Sequence, residues 1–415
     1  MSGDLTAELA PPSDLTIPAS GSTTAAQVLS AALRRLLRDL GAQLHPSIPG
    51  SADERGLRAE LSRLVRAAKK KTPGALASVL RRPDVGVWIR CLRPGAGAMV
   101  DREVGLRRLA WSLARGLASV GGFPRELSLT IRAPLPARLS SLVAAEVFEL
   151  PPACGGVELT AAGVRILGAP AGAGADGQLA PWSESADRSR FPRIAGTIVL
   201  ATVDDNPLAA VEAHPDKQGN TLSLGGEPAS AWTSALADAL GLIGDHLPDL
   251  RREIDLVIHQ FIPVGYDPER HLSASYRESI GSVYLSLHPQ AMTMAEAVIH
   301  EFSHNKLNAL FEVDAVLENA FSSLHASPVR PDMRPLHGVL FAVHAFLPVA
   351  RLYERMLAAG DPRLGAGGAA RLEEIIGGNH RGAVVVLDNA KPTELGAGLI
   401  AEIARWDRHF AELAL

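Results

Sequence analysis

Cysteine is nearly missing from this sequence. The chain has two in 415 residues, Cys91 and Cys154. Their spacing excludes a cysteine metal cluster and a disulfide framework, and fits a reducing compartment. Aromatic residues make up only 5%, so the core has to be largely aliphatic. No sign of charge dominates either. The formal net charge is −4 and the pI is near 6.4, which gives no general affinity for nucleic acid. Long apolar runs are absent by eye: stretches such as 194–203 and 383–387 are too short to cross a bilayer. The opening residues show neither the basic nor the apolar region of a secretory signal. The expectation is a cytoplasmic protein with no membrane or nucleic-acid partner.

An apolar fraction of 47% and a charged fraction of 21% are those of a globular protein. The length allows two domains, or one large domain with an N-terminal extension. Residues 1–21 are polar and rich in Pro and Ser, which predicts a mobile tail. Over 22–122, apolar residues recur at helical spacing, as in Val28, Leu29, Ala32, Leu33, Leu36 and Leu40. The run Lys69-Lys70-Lys71 is either a basic contact patch or a solvated helix end. From 123 the texture changes to short β-like runs at 127–131, 156–160, 164–167 and 196–202, broken by Gly and Pro. A loop is expected at 168–190, a helix at 231–242, and strands at 254–262 and 282–287. After Thr293 the pattern is helical nearly to the end. The expected class is therefore α+β: a tail, a helical region over 22–122, and a catalytic domain over 123–415.

One motif carries chemistry. Residues 300–304 read His-Glu-Phe-Ser-His. Helix positions four apart share a face, so His300 and His304 can aim two imidazoles at one ion. Glu301 beside them can act on a metal-bound water or on a bound substrate. The alternative is two half-buried histidines that merely pack. Thr293-Met-Ala-Glu296 has the pattern of a capping box, and Ala297, Val298, Leu307 and Leu310 give the helix apolar surface to bury. A strand, a turn at His288-Pro289 and then the metal helix is the order of zincin-like folds. In those folds a strand edge around Val283 to Leu287 would take an extended peptide.

The third ligand is not evident. A metzincin needs Gly at 307 and His at 310, and both are Leu. Glu312, Asp314 and Glu318 lie near the end of the motif helix itself and suit helix-surface or turn roles. His337 and His344 are seven apart on a later apolar helix. His344 is flanked by apolar residues, which fits either a hydrogen-bonded core histidine or a ligand. Between the two helices, Arg330 and Arg334 each precede a proline and so sit on extended backbone. They suit bidentate capture of a carboxylate, or else a rigid surface connection. Lys306 is a further cation. His259, His271, His288 and His325 are dispersed and read as structural or surface residues.

Several segments together resemble a known family. They are His271-Leu-Ser-Ala-Ser, Gly281-Ser-Val-Tyr-Leu-Ser-Leu, Glu296-Ala-Val-Ile-His-Glu-Phe-Ser-His-Asn-Lys-Leu and Arg330-Pro-Asp-Met-Arg-Pro-Leu-His-Gly-Val-Leu. Over roughly 250–355 the chain is similar to the HExxH-type peptide-modification enzymes of ribosomal-peptide clusters. The resemblance implies a zincin-like domain with a small mixed sheet, the HExxH helix and C-terminal helices. It implies an iron(II)- and 2-oxoglutarate-dependent β-hydroxylase acting on a precursor peptide. Iron would bind His300, His304 and His344, the last preferred over His337 for its burial. Arg330, Arg334 or Lys306 would hold the distal carboxylate of 2-oxoglutarate, and Glu301 would orient a ligand or the substrate. Two other readings stand beside it: a zinc peptidase with Glu301 as general base, and an inactive peptide-binding module. Oligomeric state is not legible.

Overall fold

This computed structural model describes residues 9–94, 100–152, 154–168, 179–182, 188–210, 219–327 and 332–413. These residues form an α+β fold of helices and several small sheets. The N-terminal helices are α1 (Thr24–Gln43), α2 (Ala52–Lys71), α3 (Pro73–Leu80), α4 (Pro83–Cys91) and α5 (Arg102–Ser119). Local sequence sets their starts. Ser51 and Glu54 form a capping box on α2. Proline opens α3 and α4, where a missing N–H costs nothing. The Asp101 carboxylate accepts from the first free N–H groups of α5.

Then come β1 (Ser128–Arg132), β2 (Arg138–Ser141), β3 (Glu146–Glu149), β4 (Gly156–Thr160), β5 (Gly163–Leu167), β6 (Leu179–Pro181) and β7 (Arg188–Arg190). They make two antiparallel sheets, ordered β1-β4-β5-β6 and β2-β3-β7. Leu129, Ile131, Val157 and Leu159 share one core with Leu61 and Leu64 of α2 and Trp111 of α5. The break expected at residue 122 therefore cuts through a core. A small sheet with one apolar face needs helices to cover it, and α2 and α5 do so. Residues 169–178 and 183–187 of the expected loop lie outside the described residues.

The second half holds β8 (Arg193–Ala195), β9 (Ile198–Leu200), α6 (Ala229–His246), α7 (Pro248–Val257), β10 (Gln260–Tyr266), β11 (Ser273–Ala274), β12 (Ser282–Leu287) and α8 (Ala291–Phe311). It continues with β13 (Leu324–His325), β14 (Arg334–Pro335), α9 (Leu336–Ala359), α10 (Gly368–Asn389) and α11 (Glu394–Ala411). The mixed sheet runs β11-β12-β10-β9-β8. Its three inner strands are parallel and its outer two antiparallel. The helix α8 packs against β12, α6 and α9 within the larger core. By length and hydropathy α9 could span a membrane, but 72% of that stretch is buried inside the protein, as in a core helix.

Three expectations need correction. Residues 254–262 are not one strand. Pro248 starts α7, whose Leu250, Ile254 and Val257 are buried at helical spacing, and the strand begins only at Gln260. Thr293 and Glu296 do not cap α8, which starts two residues earlier at Ala291. Glu296 instead takes Arg371 at 2.8 Å and the Tyr353 hydroxyl. The N-terminal segment is not a mobile tail from residue 9 onward. Leu15 and Thr16 are fully buried and Ile17 nearly so. The carboxylate of Glu402 on α11 accepts the backbone N–H of both Thr16 and Ile17.

Candidate metal centre

The placement of α8 is fixed by Asn305, one residue past the motif. Its side-chain oxygen accepts from Gly281 N–H at 2.7 Å. Its amide donates to the Ser282 carbonyl at 3.1 Å and to the Glu301 carbonyl at 2.9 Å. The motif helix is thereby stitched to the first residues of β12. Sequence reasoning passed over Asn305. Its signal was an amide inside an apolar helix, where an unbonded polar group is costly.

His300, Glu301 and His304 each offer a ligand atom, and these lie within 4.8 Å of one another. The two imidazole rings stand 4.4 Å apart, nearly perpendicular. Both are half-buried. Phe346 lies 4.8 Å from the His300 ring and Phe341 lies 5.3 Å from the His304 ring. Burial lowers the pKa of His300, against the opposing charges of Glu301 and Glu296. It drives His304 well below the ordinary range, helped by the neighbouring His300, His344 and His337. Both rings are therefore neutral near pH 7, the state that a metal requires.

Two buried atoms of this group have no partner: Nδ1 of His304 and Oε2 of Glu301. Leaving such an atom unbonded costs about 1–3 kcal/mol. Buried polar atoms without a protein partner, on residues that also share a close ligand group, fit a site for an ion. Oε1 of Glu301 is satisfied, since the Ser273 hydroxyl donates to it at 2.7 Å. Ser273 belongs to β11, the strand at the edge of the mixed sheet. This changes where a peptide could add. All six residues of β12 are buried, and β12 is paired on both sides, by β10 and β11. Among the described residues the outer strand beside the motif is β11, so Val283 to Leu287 cannot receive a further strand.

His344 stands outside the close group, though it is near enough to depress the pKa of His304. It is fully buried. Its Nδ1 meets the Thr16 hydroxyl at 3.0 Å, and the Ser303 backbone is a further hydrogen-bond partner of the ring. Burial, then the charge of Lys306, brings its pKa down to about 3. His337 is half-buried beside Phe311, Phe321 and Phe341. Burial and then the charge of Arg277 bring it down to about 4.

The expected cations are placed unequally. Lys306 is buried, with its ammonium 2.6 Å from Glu253 on α7. Two positions past His304, it points to another side of the helix, so it is not a free cation at the motif. Arg334 faces Asp332 at 2.9 Å in an ion pair not aligned as a hydrogen bond. Arg330 lies outside the described residues. A cation that sequence reasoning missed is Arg277. It is largely exposed, reaches Glu312 only at 3.7 Å and acts on His337. Glu312 is an anchor rather than a ligand. It closes α8 in ion pairs with Arg90, at 3.4 Å, and Arg93. Burial pushes its pKa up, but these arginines hold it down at about 2.

No protein-family model matches the chain, and no curated protein matches it significantly.

Proposed function

We propose that this protein is a metal-dependent peptide hydroxylase with a zincin-like catalytic domain, using iron(II) and 2-oxoglutarate. The observation that carries the metal is the convergence of His300, His304 and Glu301 within 4.8 Å, with His304 Nδ1 and Glu301 Oε2 buried and unpartnered. Two imidazoles and one carboxylate with open positions are the donor set of non-haem iron oxygenases. His344 is the alternative third donor: it is fully buried, close enough to act on the charge of both His300 and His304, and held at Nδ1 by the Thr16 hydroxyl. Bound iron(II) would let dioxygen react with both substrates, one oxygen atom converting a C–H to a C–OH and the other converting 2-oxoglutarate to succinate and carbon dioxide.

The chain's own residues have three tasks in this reading. His300 and His304 hold the ion as neutral imidazoles. Ser273 fixes one oxygen of Glu301, leaving the other free toward the ion or a substrate proton. The outer edge of β11, the last described strand of the sheet, is where an extended peptide would add, running past Glu301. The distal carboxylate of 2-oxoglutarate needs a cation. Lys306 does not fit, being paired with Glu253, so the role falls to Arg277, Arg334 or Arg330.

The same free oxygen of Glu301 supports a second reading, a zinc peptidase in which Glu301 is the general base. One assay separates them. A hydroxylase forms succinate only with iron, 2-oxoglutarate and peptide together, and the peptide gains one oxygen in mass. A peptide cut in two by the zinc-loaded protein, with no keto acid present, would establish the peptidase instead.

A further inference from the structure

The helix α2 sorts its charges onto two faces. Its three carboxylates are engaged on one side. Glu54 accepts the Ser51 N–H at 2.7 Å and meets Arg58 at 3.4 Å. Glu60 accepts the Thr130 N–H at 2.9 Å, and Asp53 stands 3.9 Å from Arg132. The other side carries Arg55, Arg63 and Arg66, all exposed and spaced to share one helical face. That face and the connection from α1 enclose a groove of about 310 Å³. Leu44, Ile48 and Ala59 give it an apolar lining, and among the described residues no carboxylate lines it. The guanidinium of Arg55 donates to the Gly50 carbonyl, and that of Arg66 to the Ser62 hydroxyl at 2.8 Å. Their charges are thus left without a counter-ion. The lysine run continues the row. Lys71 pairs with Glu126, but Lys69 and Lys70 are exposed, one turn past Arg66. A helix dipole accounts for cations in the last turn only, so it does not account for Arg55, Arg63 and Arg66.

We propose that this groove docks an acidic peptide segment, with carboxylates on Arg55, Arg63 and Arg66 and an aliphatic side chain seated against Ile48 and Ala59. The proposal is independent of the metal centre. Charge complementarity carries it. A guanidinium takes a carboxylate through two parallel N–H groups, and clusters of arginine are a recurrent means of reading acidic motifs. The whole chain has a net charge of −4, so any attraction of an acidic peptide is local to such a patch. Two other anionic partners fit less well. A membrane surface needs large apolar side chains exposed beside the cations, and among the described residues none of the exposed ones lies in this groove. Single-stranded RNA is held by stacking its bases on aromatic rings, and among the described residues no Phe, Tyr or Trp lines the groove.

The test uses the full chain and a short fluorescein-labelled peptide of repeated Glu-Leu-Glu, followed by fluorescence anisotropy at low salt. Binding should saturate and should weaken as salt rises. Arg63→Glu with Arg66→Glu should weaken it by at least about tenfold, since two attractions become repulsions. Arg381→Glu with Arg408→Glu, at exposed positions of α10 and α11, changes the net charge equally and should leave binding as it was. Ala59→Trp fills the groove without touching a charge and should also weaken binding. The same peptide with Gln for Glu, or with Gly for Leu, should bind poorly to the unaltered protein, which tests both contacts even if a variant does not fold. A lack of saturable binding to the wild type overturns the proposal. So does an equal loss in the two charge-reversed pairs, or full binding of the Gln or Gly peptide. Phosphatidylserine vesicles and a single-stranded RNA are titrated alongside. Tighter binding of either, lost when Arg63 and Arg66 are reversed, would give the groove to that partner and overturn the peptide assignment.

Discussion

Replacing Lys306 by Met separates a structural ammonium from a co-substrate ligand. Lys306 is 1% exposed and its partner Glu253 is 8% exposed. Methionine keeps most of the volume and its contact with the Phe302 ring, on which the ammonium sits at 4.8 Å. What it removes is the charge. Glu253 then lies buried with neither oxygen bonded, because its Oε1 already lacks a partner. Breaking a buried ion pair from one side typically costs about 3–5 kcal/mol. We expect a loss of that size in urea unfolding. Lys306→Met combined with Glu253→Met should recover most of it, since two apolar side chains leave no stranded charge. The Michaelis constant for 2-oxoglutarate should not change in the double variant. A single variant as stable as the wild type, with that constant raised about tenfold (about 1.4 kcal/mol), would refute the reasoning and return Lys306 to the co-substrate.

Three further outcomes are expected. His344→Ala should weaken metal binding far more than His337→Ala when both are titrated by chelator competition; the reverse order would make His337, not His344, the alternative donor. Arg277→Ala should raise the Michaelis constant for 2-oxoglutarate by about ten- to a hundredfold, from loss of a charge-assisted contact of roughly 1.5–3 kcal/mol. An effect confined to Arg334→Ala would move the role to the segment before α9. Glu312 has a folded-state pKa of about 2 against an ordinary 4.5. Its ion pairs therefore contribute fully above about pH 4.5 and are lost as the pH falls toward 2. Glu312→Gln should be less stable than wild type at neutral pH and should show a shallower fall in stability between those limits, measured as unfolding free energy against pH.

Local pattern was enough to find the helices and the motif. The spacing of Val28, Ala32 and Leu36 gave α1, and His300 with His304 gave a shared helical face. What the sequence could not carry was contact between distant segments. Residues 1–21 look like a tail because they are polar and rich in Ser and Pro, yet Leu15, Thr16 and Ile17 are buried, and Thr16 alone meets partners on α8, α9 and α11. Lys306 reads as a cation near a metal until Glu253, on another helix, is seen beside it. The strand 282–287 reads Ser-Val-Tyr-Leu-Ser-Leu, the alternation of a strand with one polar face, yet all six residues are buried and both its edges are paired. Alternation of that kind does not distinguish an interior strand from an edge, so the pairing on both sides was not legible locally. Ser273 had no local signature at all, since a two-residue strand is too short to show alternation.

The metal centre itself is tested most directly by counting ions. The protein is purified without oxygen, loaded with iron(II) or zinc(II), desalted and analysed for bound metal, alongside His300→Ala and His304→Ala. The account predicts one tightly held ion per chain in the wild type and none in either variant, with helix content by circular dichroism unchanged. Full occupancy in both variants would contradict it.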